Sequence, residues 1–149
     1  MSDQTFDFWR DHSLKYLEMA HDTRRIERPE HADGHGSRTG ECGDTIEMFL
    51  EVSRGKISRV SFDARGCLNT RACANMAASL AEGRRAPDAW SITSEQVAGE
   101  LETLPADHIH CAELAVGALY LALSDYEKKT APSPSGGQEE PNLNKKGTE

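Results

Sequence analysis

The sequence predicts an α+β domain in which a small antiparallel sheet packs against helices on one face. From Thr45 to Val52 the apolar Ile46, Met48, Leu50 and Val52 alternate with Glu47 and Glu51, and after Ser53-Arg54-Gly55-Lys56 the alternation returns from Ile57 to Ala64, which is the pattern of a β-hairpin. Later stretches carry apolar residues at helical spacing and are the elements left to cover the hairpin's apolar face. The last of them has no polar side chain between Leu114 and Leu123 except the Tyr120 hydroxyl, so it belongs in the interior.

Composition bounds the rest. A chain of 149 residues with 37% hydrophobic content suits one modest core. Residues 1–128 read as one domain and 129–149 as a disordered tail, whose Pro, Ser, Gly, Glu, Asn and Lys bury too little surface to offset the entropy of ordering. A net charge of -8 and a pI near 5.2, with no basic cluster interleaved with aromatics, argue against a nucleic-acid groove. Met1-Ser2-Asp3-Gln4-Thr5 has neither the basic nor the apolar region of an export signal, and nowhere do 18 uninterrupted apolar residues occur. The expectation is a cytoplasmic protein with no membrane partner. In that reducing compartment its 4 cysteines point to metal binding or reactive thiols rather than disulfides.

In chain order, Phe6, Trp9, Tyr16, Leu17 and Ala20 predict an amphipathic helix from about Thr5 to about His21, lying as a lid or side layer. Arg24 to Thr39, with Pro29, Gly34 and Gly36 and no visible period, reads as a mobile loop. After the hairpin, Asn69-Thr70 cap a helix running to Glu82, stopped by Gly83 and turning Cys73, Met76, Ala77 and Leu80 inward. A short helix from Thr93 to about Leu101 has Gln96 in capping-box position and ends before Leu104-Pro105. The last helix spans about Ile109 to about Tyr126, and Ala115, Gly117, Ala118 and Ala122 let it lie close to the sheet.

The chemistry-bearing residues sit at element ends, where ligands usually bind. In Gly40-Glu41-Cys42-Gly43-Asp44 a thiol and a carboxylate two residues apart face the same way in extended backbone, and Gly43 leaves room for a ligand to approach. Cys67 and Cys111 lie at or just before predicted helix N-termini, where the helix dipole favours thiolate. His110 precedes Cys111, and neighbours inside a helix point about 100° apart, so the two face one metal together only from a cap position and otherwise take turns. Cys42, Asp44, Cys67, His110 and Cys111 make one candidate more than a tetrahedral zinc or a [2Fe-2S] cluster needs. The carboxylate of Asp44 is a harder donor than thiolate and suits a site made for release. Cys73 lies on the apolar stripe and reads as core; His31, His35 and Asp33 lie in a polar loop that needs no metal, and His108 reads as a solvated loop histidine. Structural zinc is the sober alternative for the three main thiols, although no CxxC knuckle is present.

Phe8-Trp9 with His12-Ser13-Leu14, Gly40-Glu41-Cys42-Gly43-Asp44, Gly66-Cys67-Leu68-Asn69-Thr70, Leu104-Pro105 and His110-Cys111-Ala112-Glu113-Leu114-Ala115, in that order, resemble the NifU-like (IscU-type) iron-sulfur cluster assembly scaffolds. That resemblance implies the SufE/NifU-like fold, with about three strands. It also implies a function: Cys42, Cys67 and Cys111 as cluster thiols, Asp44 as the carboxylate that keeps the cluster labile, and His110 as the nearby imidazole. A PLP-dependent cysteine desulfurase would supply sulfur, an iron donor would supply iron, and a transient [2Fe-2S] cluster would pass to apo iron-sulfur proteins, with zinc able to occupy the same site. Leu104-Pro105-Ala106-Asp107-His108 stands where IscU-type members carry Leu-Pro-Pro-Val-Lys, so recognition by a dedicated chaperone is not carried over. The runner-up is a zinc-dependent sulfur acceptor working with a desulfurase, a group whose members generally lack the histidine before the third cysteine. A structural zinc module is the third reading.

Overall fold

A computed structural model describes residues 13–41 and 43–130. Helix α1 (Leu14–His21) is followed by strands β1 (Gly34–Thr39), β2 (Thr45–Ser53) and β3 (Lys56–Arg65), then by α2 (Leu68–Ala81), a 3-10 turn (Ala86–Ser91), α3 (Ser94–Leu101), a second 3-10 turn (Ala106–His108) and α4 (Ile109–Thr130). The strands form an antiparallel sheet in the order β1-β2-β3.

The hairpin is where the alternation places it, and Arg54 and Gly55 turn it with φ of 55° and 78°. These are the two positive values that a two-residue turn needs to match strand twist. Ile57 and Val60, three apart, both point inward because the register shifts beside Glu51 and Val52, and the Ser58 hydroxyl donates to the Glu51 carbonyl at 3.0 Å. Ile46, Met48, Leu50, Val60 and Phe62 are fully buried in one core with the helices. Each such side chain contributes about 1.5–3 kcal/mol through burial.

The stretch expected as a mobile loop instead supplies β1, paired with β2 from Gly34↔Leu50 to Thr39↔Thr45. It was hidden because its inward positions are Gly34, Gly36 and Arg38, which show no apolar alternation. α4 lies directly on them. A Cβ on Gly36 would stand 2.6 Å from the Ala118 carbonyl oxygen and nearer still to the Ala122 nitrogen. Upstream of β1, Arg25 and Glu27 bond to the backbone of Phe62 and cover the far edge of the sheet.

The first helix begins at Leu14, capped by Ser13, whose hydroxyl accepts from the Tyr16 N–H at 3.0 Å and donates to the Leu101 carbonyl at 2.7 Å. The expected start near Thr5, with Phe6 and Trp9, lies outside the described residues. Buried Asn75 ties α1 to α2 by donating to the carbonyls of Met19 and Asp22, both at 3.1 Å. α2 starts two to three residues earlier than expected, with Cys67 itself as the N-cap, and stops before Gly83. The Thr93 cap is present, accepting from the Gln96 N–H at 3.1 Å. α4 runs one turn beyond Tyr126, and the expected disordered tail falls largely outside the described residues. No helix among the described residues is long and apolar enough to cross a membrane.

Gly36→Ala is expected to destabilise the fold by about 3 kcal/mol, the upper part of the overpacking range, because its Cβ meets helix backbone. Gly99→Ala in α3, where a Cβ meets open space, should stabilise by about 0.5–1 kcal/mol. Urea unfolding would read both, and equal midpoints would show that α4 is free to move off β1.

Candidate metal centre

Three elements converge at one end of the sheet. The turn before β2 is closed by Gly40 N–H to the Asp44 carbonyl (2.8 Å) and Gly43 N–H to the Gly40 carbonyl (3.0 Å), with Gly43 at φ 91°. It delivers Asp44. The loop after β3 delivers Cys67, extended at the N-cap of α2, and the first turn of α4 delivers Cys111. The sulfurs of Cys67 and Cys111 and a carboxylate oxygen of Asp44 all lie within 4.8 Å of one another. Cys67 is exposed, Asp44 half-buried and Cys111 fully buried. Cys42, the fourth expected donor, lies outside the described residues.

His110 takes a different place from these three. It is a helical residue rather than a cap, and its side chain stays exposed while Cys111 is buried. Its Nε2 is 3.7 Å from the Cys111 sulfur, yet it does not belong to the mutually close group. Beside it opens a cavity of about 480 Å³ lined by Arg38, Thr39, Gly40, Glu41, His110, Glu113 and Leu114.

Sequence reasoning read Asn69 and Thr70 as helix caps; both are in the first turn of α2 and face the site. The Thr70 hydroxyl, fully buried, donates to Asp44 Oδ2 at 2.5 Å and lies 3.6 Å from the Cys67 sulfur and 3.7 Å from that of Cys111. The Asn69 amide donates to Cys67 Sγ at 3.7 Å and accepts from the Tyr16 hydroxyl at 2.5 Å. The available signal was spacing: a threonine three residues after an N-cap turns back over that cap. Gly66 leaves the space these groups use, since a Cβ there would stand 2.6 Å from Asp44 Cγ and 2.8 Å from the Thr70 hydroxyl.

Burial pushes the Cys67 thiol up, while hydrogen bonds from the Thr70 N–H and from the N–H and amide of Asn69 pull it the other way, and the thiol lies below its ordinary value. Tyr16 is pushed up to about 12 by burial and then by the nearby thiols of Cys67, Cys73 and Cys111. Cys73 is fully buried in α2 and its thiol is raised, first by burial, then by Cys111 and Cys67. It stands as core, as its stripe position indicates. His35 is engaged elsewhere, with Nε2 2.8 Å from Glu47 and its ring stacked on Phe49, while Asp33 accepts from the Val52 N–H. His108 is half-buried, beside Asp107 and stacked on His110, rather than fully solvated.

Two sulfurs and one carboxylate oxygen within reach of a single ion suit a borderline or soft metal such as zinc or iron, and the donor chemistry therefore fits a metal or cluster. The sequence matches the family described as NifU-like N terminal domain over residues 21–133. It is similar to two iron-sulfur cluster assembly scaffold proteins of the IscU type from Archaeoglobus fulgidus, each 33% identical over 119 residues, covering 79% of this chain and 78% of the relative. An IscU-type scaffold protein from Haemophilus influenzae is 33% identical over 89 residues, covering 59% of this chain and 70% of that one. In fold, the chain resembles the N-terminal part of a nitrogen-fixing NifU-like protein from Brucella abortus with a TM-score of 0.66 at 15% identity, over 83% of this chain and 100% of that one.

In the metal-free protein, Asn69→Leu removes a donor to the Cys67 thiolate, so its thiol pKa should rise. Alkylation of Cys67 by iodoacetamide, followed by peptide mass mapping across pH, should slow several-fold near neutrality. An unchanged pH profile would show that the amide does not act on the thiol.

Proposed function

The chain belongs to the family of NifU-like N-terminal domains, and from that premise we propose that it is a scaffold on which an iron-sulfur cluster is assembled and from which the cluster passes to other proteins. The observation that carries this reading is the convergence of Asp44, Cys67 and Cys111 within 4.8 Å at the meeting of a turn and two helices.

Each residue has a chemical reason for its part. Cys67, exposed and with a lowered thiol, is the sulfur acceptor of the pair: a PLP-dependent cysteine desulfurase presents a persulfide, and the Cys67 thiolate takes its outer sulfur and leaves the donor's thiolate behind. Reduction of that sulfur to sulfide takes two electrons from an external reductant, and iron comes from a separate donor. Cys111, buried, anchors the cluster from within, and Cys42 supplies the third thiolate. Asp44 is the weak corner through which the cluster is released to apo iron-sulfur proteins. His110, 3.7 Å from the Cys111 sulfur, is placed to exchange with a ligand or to carry a proton. The cargo is a transient [2Fe-2S] cluster, and zinc competes for the same donors.

The protein is then a carrier rather than an enzyme. The zinc-dependent sulfur acceptor is not favoured, since the relatives that the chain matches over most of their length are named assembly scaffolds. Leu104-Pro105-Ala106-Asp107-His108 departs from the Leu-Pro-Pro-Val-Lys motif of IscU-type members, so a dedicated chaperone is not part of this proposal.

Anaerobic incubation with ferrous iron, cysteine and a cysteine desulfurase should develop sulfide-to-iron charge-transfer bands that decay as an added apo-ferredoxin gains them. A colourless protein that retains zinc while taking up persulfide sulfur would overturn the scaffold reading. Cys67→Ser and Cys111→Ser should lose most of the cluster. Cys73→Ala should retain it, and Asp44→Ala should lose it several-fold more slowly than wild type; faster loss would remove Asp44 from its part as the weak ligand.

A further inference from the structure

The Thr70 hydroxyl touches every described donor of the site, yet it has one proton to give. Among a carboxylate and two sulfurs, the carboxylate is the strongest acceptor, and the 2.5 Å separation from Asp44 Oδ2 shows where the proton goes. The threonine oxygen then faces the two sulfurs, at 3.6 and 3.7 Å. The side chain has little freedom to do otherwise. It is 0% exposed, it is branched at Cβ, it sits in the first turn of α2, and Gly66 admits it against Asp44 with no side chain between.

We infer that Thr70 is a positioning residue that commits one oxygen of Asp44 and thereby presents the carboxylate to a metal through a single oxygen. This rests on the reading of Asp44 as a ligand. A carboxylate that binds through both oxygens takes two coordination positions and leaves slowly, whereas one-oxygen binding takes one position and exchanges readily. The hydrogen bond from Thr70 therefore keeps four-coordination open to the two described thiolates, the Asp44 oxygen and one further donor. It also keeps Asp44 the exchangeable member of the set.

Cobalt(II), added to the metal-free full chain, tests this without any cluster. Four-coordinate cobalt absorbs several times more strongly in the visible than five-coordinate cobalt, so the band intensity reports how Asp44 binds. Wild type and Thr70→Ser should give the intense spectrum. Thr70→Val, which keeps the shape and loses the hydroxyl, should give a weaker one and release cobalt to a chelator several-fold more slowly. Thr70→Ala serves as a second hydroxyl-free variant should valine disturb folding, which circular dichroism would show. In an Asp44→Ala background, Thr70→Val should change nothing further. Wild-type spectra and release rates in both hydroxyl-free variants, failure of serine to rescue, or an effect that persists without Asp44 would each overturn the inference. A wild type whose cobalt spectrum depends on Asp44, but which builds no cluster with iron and desulfurase, would overturn the scaffold reading and leave the cobalt series to decide the part of Thr70.

Discussion

The contact on which the site depends is the approach of the α4 backbone to β1. Gly34 lies against Ala122 and Tyr126, Gly36 against Ala118 and Ala122, Arg38 against Gly117, and Gly40 against Leu114. Two strand residues advance about 6.6–6.8 Å and four helix residues about 6 Å, so a strand and a helix laid side by side can keep step in this two-to-four rhythm. The steps lead along α4 toward Cys111 and along β1 toward the turn that carries Asp44. Cys111 lies seven residues from Ala118, about 10 Å of helix rise, so its depth is set by where the helix is pinned on Gly36.

α2 meets this pair from the other side. Its first turn brings Cys67, Asn69 and Thr70, and its body is held to α1 by Asn75 and by the hydrogen bond from Tyr16 to Asn69. Glu82, at the far end of α2, accepts from Arg25 at 2.8 Å and from the Val60 N–H at 3.0 Å, which anchors the helix to β3. Donors on a turn and two helices are thus fixed by packing elsewhere, and a polar contact inside the site, that of Thr70 with Asp44, joins the turn to α2. Soft sulfur and hard oxygen can share the space because that hydroxyl lies between them.

Much of this was legible in residue order alone. The hairpin declared itself through alternation, α4 through its apolar run, and the Thr93 cap through its spacing to Gln96. Cys73 could be set aside as core because its neighbours on the helix face are Met76 and Ala77. What escaped had physical reasons. β1 escaped because glycine carries no pattern, although the glycines are what admit the helix. Cys67 escaped as a cap because a sulfur is not among the usual capping atoms. Thr70 escaped because a threonine near a helix start satisfies local rules on its own, and only the tertiary fold reveals that its hydroxyl is turned toward a carboxylate 26 residues back. The separation of His110 from the group of three depended on whether the helix began before or after the histidine, which the Pro105-Ala106-Asp107 segment left open.

The two described thiols of the site differ in one respect that reaches beyond ligation: Cys67 is exposed and Cys111 has no exposure at all. Of the two sulfurs that share the site, only Cys67 can be reached from solvent, so the pair gives the site an outer and an inner face, and on the reading proposed above an incoming sulfur meets the outer one.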